Sequence, residues 1–379
     1  QLNRTSDGTH LWAQTFDSAG QSLLDIQDEI ARSITYYVRS RVGDAQSLDV
    51  AMRQGRVHLS RDTADAYLRG LAEASKFTPR STVLALALFD RVVADAPAFG
   101  DGYGARGMVH TQLADSSAGD PRKESTLAVA DLRQALELHT RFPAHVLVNL
   151  AYLEYRMDWD WPRAEAHIKE SLAQADTAYA HRIYGWGLIT RGRIPEGEEQ
   201  FRKMVELDPL NVINRAGMTE ALLEASRFGP ASEQASEVMR LNPRWWLASA
   251  VSAQVDIYDK KPMEALPILE KIGGADRNAA SVQLGYAAAD AELKRNQDAV
   301  DILNKLEAGA AGVPPIQYYV GVVYGLLGES SRLFEYLDKS ADEREYEVLY
   351  TRIDPLLSRW QSDARMIQLE RRLGLADKE

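Results

Sequence analysis

Arg182, Trp186, Gln254 and Tyr318 carry the most binding chemistry in this sequence: a guanidinium, an indole, an amide and a phenol. Each stands three residues before, or one residue after, a small residue (Gly185, Ala253 or Gly321) that recurs in a regular stride. Placed on one face of successive helices, they would form an aromatic and cationic groove suited to an extended peptide. Trp186 could instead pack between helices, and Arg182 could simply be solvated. Catalysis has less to draw on. The chain contains no His-Glu-x-x-His, no Gly-rich lysine loop, no Gly-x-Gly-x-x-Gly and no Gly-x-Ser-x-Gly. His10, His58, His110, His139, His145, His167 and His181 never pair at three- or four-residue spacing, which leaves no helical metal pair. Acidic neighbours such as Glu198 and Glu199 read as solvated helix surface, because acid–base work needs buried, oriented carboxyls. No catalytic residue, cofactor or metal ion is expected, and the chain is read as a non-enzyme.

The elements that must position the groove follow from the stride. Gly197, Ala231, Ala265, Ala299 and Leu333 lie 34 residues apart in succession. Four residues after each stands Phe201, Ala235, Leu269, Leu303 or Leu337, on the same face of a helix. Twelve residues before each stands Gly185, Thr219, Ala253, Ala287 or Gly321. Antiparallel helices approach closely where one offers a small side chain to the other. A fixed 34-residue period marks an array of paired helices of the tetratricopeptide type. The expected fold is all-α: a right-handed α–α superhelix of about eight helix pairs, preceded by a small β-hairpin and a helix.

The chain has 379 residues, a net charge of −11 and no cysteine. The acidic balance opposes direct nucleic-acid binding, which needs clustered Lys and Arg. The missing cysteines remove disulfides and thiolate chemistry and suit cytoplasm and periplasm alike. No run of apolar residues is long enough to span a bilayer. The first residue is Gln1, with no signal-peptide pattern, and the expectation is a fragment or a processed piece.

Residues 2–17 read as a hairpin with Asp7-Gly8 at the turn and Trp12 and Phe16 as anchors. Leu23, Ile26, Ile30, Ile34 and Val38 then mark a helix from about 22 to 42. Residues 46–62 are polar and read as a linker, and the array is expected over 63–342. Its early markers are uneven, stepping 43 residues from Ala85 to Ala128, 36 to Ala164 and 33 to Gly197. The loop-like run 114–125 accounts for the long step. Trp159 and Trp161 flank Asp160 before Pro162, where two indoles could cover the interhelix groove. Residues 309–315 read as a repeat boundary whose prolines start the next helix. Residues 343–379 are expected to break at Asp354-Pro355 and to cap the last repeat with Trp360, Met366, Leu369 and Leu373.

Two stretches also resemble a known family. Leu11, Trp12, Ala13, Phe16 and Asp17, followed by Gln27, Asp28, Glu29, Ile30 and Ala31, resemble the end of the TolB-like (FlgO-like) domain of bacterial regulators. The likeness assigns residues 1–45 to the C-terminal remnant of such a domain. The layout of Pro97, the Asp-Trp-Asp-Trp run at 158–161 and the closing Asp354-Pro355-Leu356-Leu357 resembles tetratricopeptide regions that follow TolB-like domains. Ala364 and Met366 depart from that family's closing pattern, where Pro and Phe are common. The resemblance implies a C-terminal regulatory or sensory region of a multidomain signalling protein whose output domain is a winged helix, a class III nucleotide cyclase or, in some members, a Ser/Thr kinase. Its expected partner is a protein or peptide in the groove, or a sister copy. Chaperone C-terminal tails are not expected, since Arg182, Trp186, Ala216, Glu220, Ala250 and Gln254 lack the Lys and Asn of a carboxylate clamp. The alternative expectation is a periplasmic small-ligand sensor binding at the junction of the hairpin and the first repeats.

Overall fold

The computed structural model describes residues 2–3, 10–12, 59–76, 78–115, 119–309 and 316–375. Strands β1 (Leu2–Asn3) and β2 (His10–Trp12) pair antiparallel, with Leu2 opposite Trp12 and Asn3 opposite His10. The expected turn at Asp7-Gly8, the helix over 22–42 and the prolines of 310–315 lie outside the described residues.

The chain divides into two compact units, residues 1–146 and 147–379. In the first, α1 (Arg61–Ala74), α2 (Pro79–Asp95), α3 (Gly100–Ala114) and α4 (Pro121–Glu137) form two antiparallel pairs. Their starts are set by side-chain caps. Ser60 accepts from the Thr63 amide, Thr78 and Ser81 close a reciprocal capping box, and Asp120 takes the amides of Arg122 and Lys123. Pro79 and Pro121 occupy the first helical turn, where no partner is lost. Gly70 provides the notch for Phe89, since a Cβ there would lie 2.6 Å from the ring. Gly107 does the same for Leu132.

The second unit continues from α5 (Pro143–Leu153), which ends in a π turn at Glu154–Asp158. Trp159 leaves that turn with φ 56°, and Asp160 caps α6 (Trp161–Gln174). Then come α7 (Ala178–Thr190), α8 (Ile194–Leu207), α9 (Val212–Glu224), α10 (Phe228–Leu241), α11 (Trp246–Tyr258) and α12 (Pro262–Glu270). The array closes with α13 (Ala280–Glu292), α14 (Asn296–Glu307), α15 (Gln317–Leu327) and α16 (Ser330–Glu343). The second helices α8, α10, α12, α14 and α16 start at 194, 228, 262, 296 and 330, an unbroken 34-residue step. The stride markers are the contact points. Ala231, Ala265, Ala299 and Leu333 are fully buried, as are Thr219, Ala253 and Ala287 on the opposing helices. Sizes compensate across the seam: Gly185 faces Phe201, whereas Thr219 belongs to the pair that carries Ala235.

The C-terminal segment breaks at Asp354, and what precedes and follows the break is 3-10 helix before it is α-helix. It opens with two 3-10 turns, Tyr346–Tyr350 and Pro355–Trp360, before α17 (Ala364–Arg372). Met366, Leu369 and Leu373 are buried, while Trp360 is half-buried. The Arg344 guanidinium sits over the Trp159 ring, Gly374 reaches Trp161, and Arg352 donates to the Leu375 carbonyl. The tail therefore crosses back to the start of this unit instead of covering only its last repeat.

Candidate functional site

The first helix of each pair presents residues three before and one after its small residue to a shared inner face. Arg182 and Trp186 come from α7, Ala216 and Glu220 from α9, Ala250 and Gln254 from α11, Leu284 and Ala288 from α13, and Val322 from α15. All of them line one cavity of about 370 Å³. Its remaining walls are largely aliphatic, including Leu247, Val251, Ile257 and Val323. The structure thus brings Arg182, Trp186 and Gln254 together.

Tyr318 is not in that wall. It is fully buried, and its hydroxyl donates to Asp354 Oδ2 at 2.7 Å. The turn that follows Asp354 packs against the side of α15 where the spacing rule had placed open groove. The neighbouring Tyr319 faces the cavity instead.

The tail completes the cavity with Tyr346, Glu347 and Leu356. The Tyr346 ring stacks on Trp186, centroids 5.7 Å apart and planes 19° from parallel. Glu220 Oε1 accepts from the hydroxyls of Tyr319 at 2.5 Å and Tyr346 at 3.4 Å. Tyr258 donates to Glu224 at 2.5 Å. Glu345 accepts from the amides of Gln317 and Tyr318, closing the open N-terminus of α15.

This face is rich in buried acid. Burial pushes the Glu347 carboxyl up to about 8, Glu220 and Glu345 push it the same way, and Arg156 opposes them. Burial raises Asp354 to about 6, against the Tyr318 hydroxyl and the Leu356 amide that stabilise its anion. Glu224 is driven well above the usual carboxylate range by burial and by the adjacent Asp354. Glu220 rises through burial, moderated by its two tyrosine donors. Arg156 is itself lowered by burial. The Arg182 guanidinium lies 5.0 Å from the Tyr179 ring centre and 5.3 Å from that of Trp186, and donates to Asn214 at 3.3 Å. An apolar enclosure with a few fixed polar groups is a geometry for holding a guest.

The histidines are dispersed. His110 bonds Glu124, His167 bonds Glu154, and His181 lies between Gln200 and Asp176. Among the described residues no group of three or more His, Asp or Glu could hold a metal ion, and no helix is long and apolar enough to cross a membrane. The residues that sequence reasoning missed are Tyr319, Tyr346 and Glu347. The alternation of acids and tyrosines with apolar residues over 345–350 is the signal that could have found the last two.

No family model matches the chain, and no curated protein matches it. Solved structures do. The human IFIT1 dimer with PPP-AAAA aligns with a TM-score of 0.52 at 16% identity, over 84% of this chain and 85% of that one. The structure of yeast Tom70 aligns at 0.47 and 13% identity, over 93% of this chain and 78% of that one. Pseudomonas aeruginosa PilF aligns at 0.37 and 20%, over 58% of this chain and 97% of that one. The likeness to the human protein is one of fold: this chain is a tetratricopeptide-type array of helix pairs.

Proposed function

We propose that this array is a non-catalytic interaction module, the regulatory or sensory region of a multidomain bacterial signalling protein. The observation that carries the reading is that the inner face already holds a polypeptide. Residues 346–356 of the chain's own tail lie against α7, α9 and α15 through the Trp186 stack, the Tyr346–Glu220 hydrogen bond and the Tyr318–Asp354 bond. Such faces recognise extended segments through rows of aromatic and polar side chains. The net charge of −11 and the carboxyls at the cavity argue for a partner other than nucleic acid. The resemblance of residues 11–31 to the end of a TolB-like domain supports the assignment to a transcription regulator or nucleotide cyclase. The test is the full coding region that contains this chain. It should encode a winged helix or a cyclase core, and replacing Trp186 and Tyr346 together by alanine should change promoter occupancy or cyclase rate. Unchanged output from a folded variant would remove the regulatory role, and an unrelated upstream domain would remove the signalling context.

A second reading, a small-ligand sensor, is favoured by the cavity itself, whose size falls within the roughly 300–1,000 Å³ of small-molecule sites. The cavity lies on the inner face of the second unit. The hairpin junction, where the sequence suggested such a site, lies outside the described residues.

A further inference from the structure

We infer that the cavity under the tail takes a small organic carboxylate, its apolar body between α9, α11, α13 and α15 and its oxygens on the Arg182 guanidinium. The inference rests on the small-ligand reading and names the class of guest. Arg182 lines the cavity, and its Nε is buried without a hydrogen-bond partner. Neutral groups hold the rest of the guanidinium: it donates to Asn214 at 3.3 Å and lies over the rings of Tyr179 and Trp186. Among the described residues no carboxylate pairs with it. The indole beneath it is fixed in turn, by the stack on Tyr346 and by an Nε1–H bond to the Gly217 carbonyl at 3.4 Å. A buried N–H without an acceptor is costly, and a carboxylate relieves that cost through a charge-assisted bond.

The acids of the wall do not cancel that cation. Burial pushes Glu347 up to about 8, so near neutral pH it is protonated and brings no charge. The strongest charge interaction of Arg156 is with Glu347, which sets a second guanidinium behind the same wall. Glu220 is already answered, with the hydroxyls of Tyr319 and Tyr346 on one oxygen. An ammonium guest would leave Arg182 Nε without an acceptor and add like charge. An alcohol would supply an acceptor without the charge. The tail limits the guest's size: Tyr346, Glu347 and Leu356 complete the enclosure, and a polypeptide would have to lift them away. The aliphatic walls that remain bury a short chain of methylenes.

The experiment titrates the full chain with three probes of one shape, n-octanoate, n-octanol and n-octylammonium, by calorimetry near neutral pH. Octanoate should bind at least about tenfold more tightly than octanol, with the ammonium weakest. Arg182→Gln should bring octanoate down to the alcohol's affinity or below while leaving the alcohol unchanged, and Arg182→Lys should restore part of the difference. Ala250→Phe, which fills the cavity from a half-buried position, should remove binding of all three. An N-acetylated peptide ending in leucine presents the same carboxylate on a larger body and should bind more weakly than octanoate. Tighter binding of the peptide would overturn the small guest in favour of a chain end. Octanol or octylammonium binding as well as octanoate, or a folded Arg182→Gln that keeps the preference, would overturn the carboxylate assignment and leave the cavity reading standing. Binding of none of the probes by a folded chain would overturn both.

Discussion

The Trp186 indole stacks on the Tyr346 ring at 5.7 Å, joining α7 to a turn 160 residues further along the chain. This pair, with the Tyr346 hydroxyl on Glu220, ties the tail to the inner face of the array. Tyr346→Ala should therefore destabilise the second unit by about 3 kcal/mol, the low end of the range for truncating a packed aromatic ring, because Tyr346 is half-buried. It should also wet Trp186, so its fluorescence should shift to the red before any global unfolding. A urea midpoint and emission maximum equal to the parent's would show that the tail does not rest there.

The notches make a graded prediction. A Cβ on Gly185 would meet the Phe201 ring at 2.6 Å, whereas one on Gly229 would meet nothing within 4 Å. Gly185→Ala should cost about 1–3 kcal/mol by overpacking, and Gly229→Ala should stabilise by about 0.4–1 kcal/mol through the unfolded chain. Opposite signs in thermal unfolding are the expected result, and like signs would contradict the packing described.

Ala265 is fully buried where α12 meets α11, so Ala265→Trp should lower stability by about 1–3 kcal/mol or more. An unchanged midpoint in chemical denaturation would mean that this helix faces elsewhere.

Stability should fall with rising pH. Glu347 titrates near 4.5 when unfolded and near 8 when folded, so folding favours its protonated form. That contribution is complete below about pH 4.5 and is lost as pH rises through about 8. The groups around it are Glu220 on α9, Arg156, Tyr152 and Tyr155 from α5 and its π turn, and Glu345, Tyr346 and Tyr350 of the tail. Glu347→Gln cannot titrate. It should match the parent in mild acid and exceed it by about 2–4 kcal/mol above pH 8. A stability gap that does not change with pH would rule this out.

In the first unit, Arg106 grips Asp131 through two hydrogen bonds of 2.7 Å and also reaches Asp90. Asp131 is buried, so Asp131→Ala should cost about 1–3 kcal/mol by leaving the guanidinium half-satisfied. Faster amide exchange across α3 and α4 would report it, and exchange at the parent's rate would show the pair to be incidental.

The repeat register is legible in the sequence because it depends on side-chain size at fixed spacing, a local property. Gly185 with Phe201 and Ala253 with Leu269 are within one helix pair and follow from the 34-residue step. The same spacing rule carries Arg182, Trp186 and Gln254 to one cavity. It fails at Tyr318, because Asp354 of the tail competes for that phenol. Nothing local announces that Tyr346 will find Glu220, 126 residues earlier in the chain. The buried acids were missed for the same reason: Glu347 becomes unusual only once α9 and the tail exclude water around it.

The return of the tail to Trp161 also has a mechanical consequence. An open spiral of helix pairs extends like a spring under tension. Here residues 346–375 bridge the helix pairs of this unit from within, so a load applied at Leu375 reaches the Trp186–Tyr346 clasp before it reaches those helix pairs. The first event under force should be a short release as the strap peels away, and only afterwards should the coils lengthen.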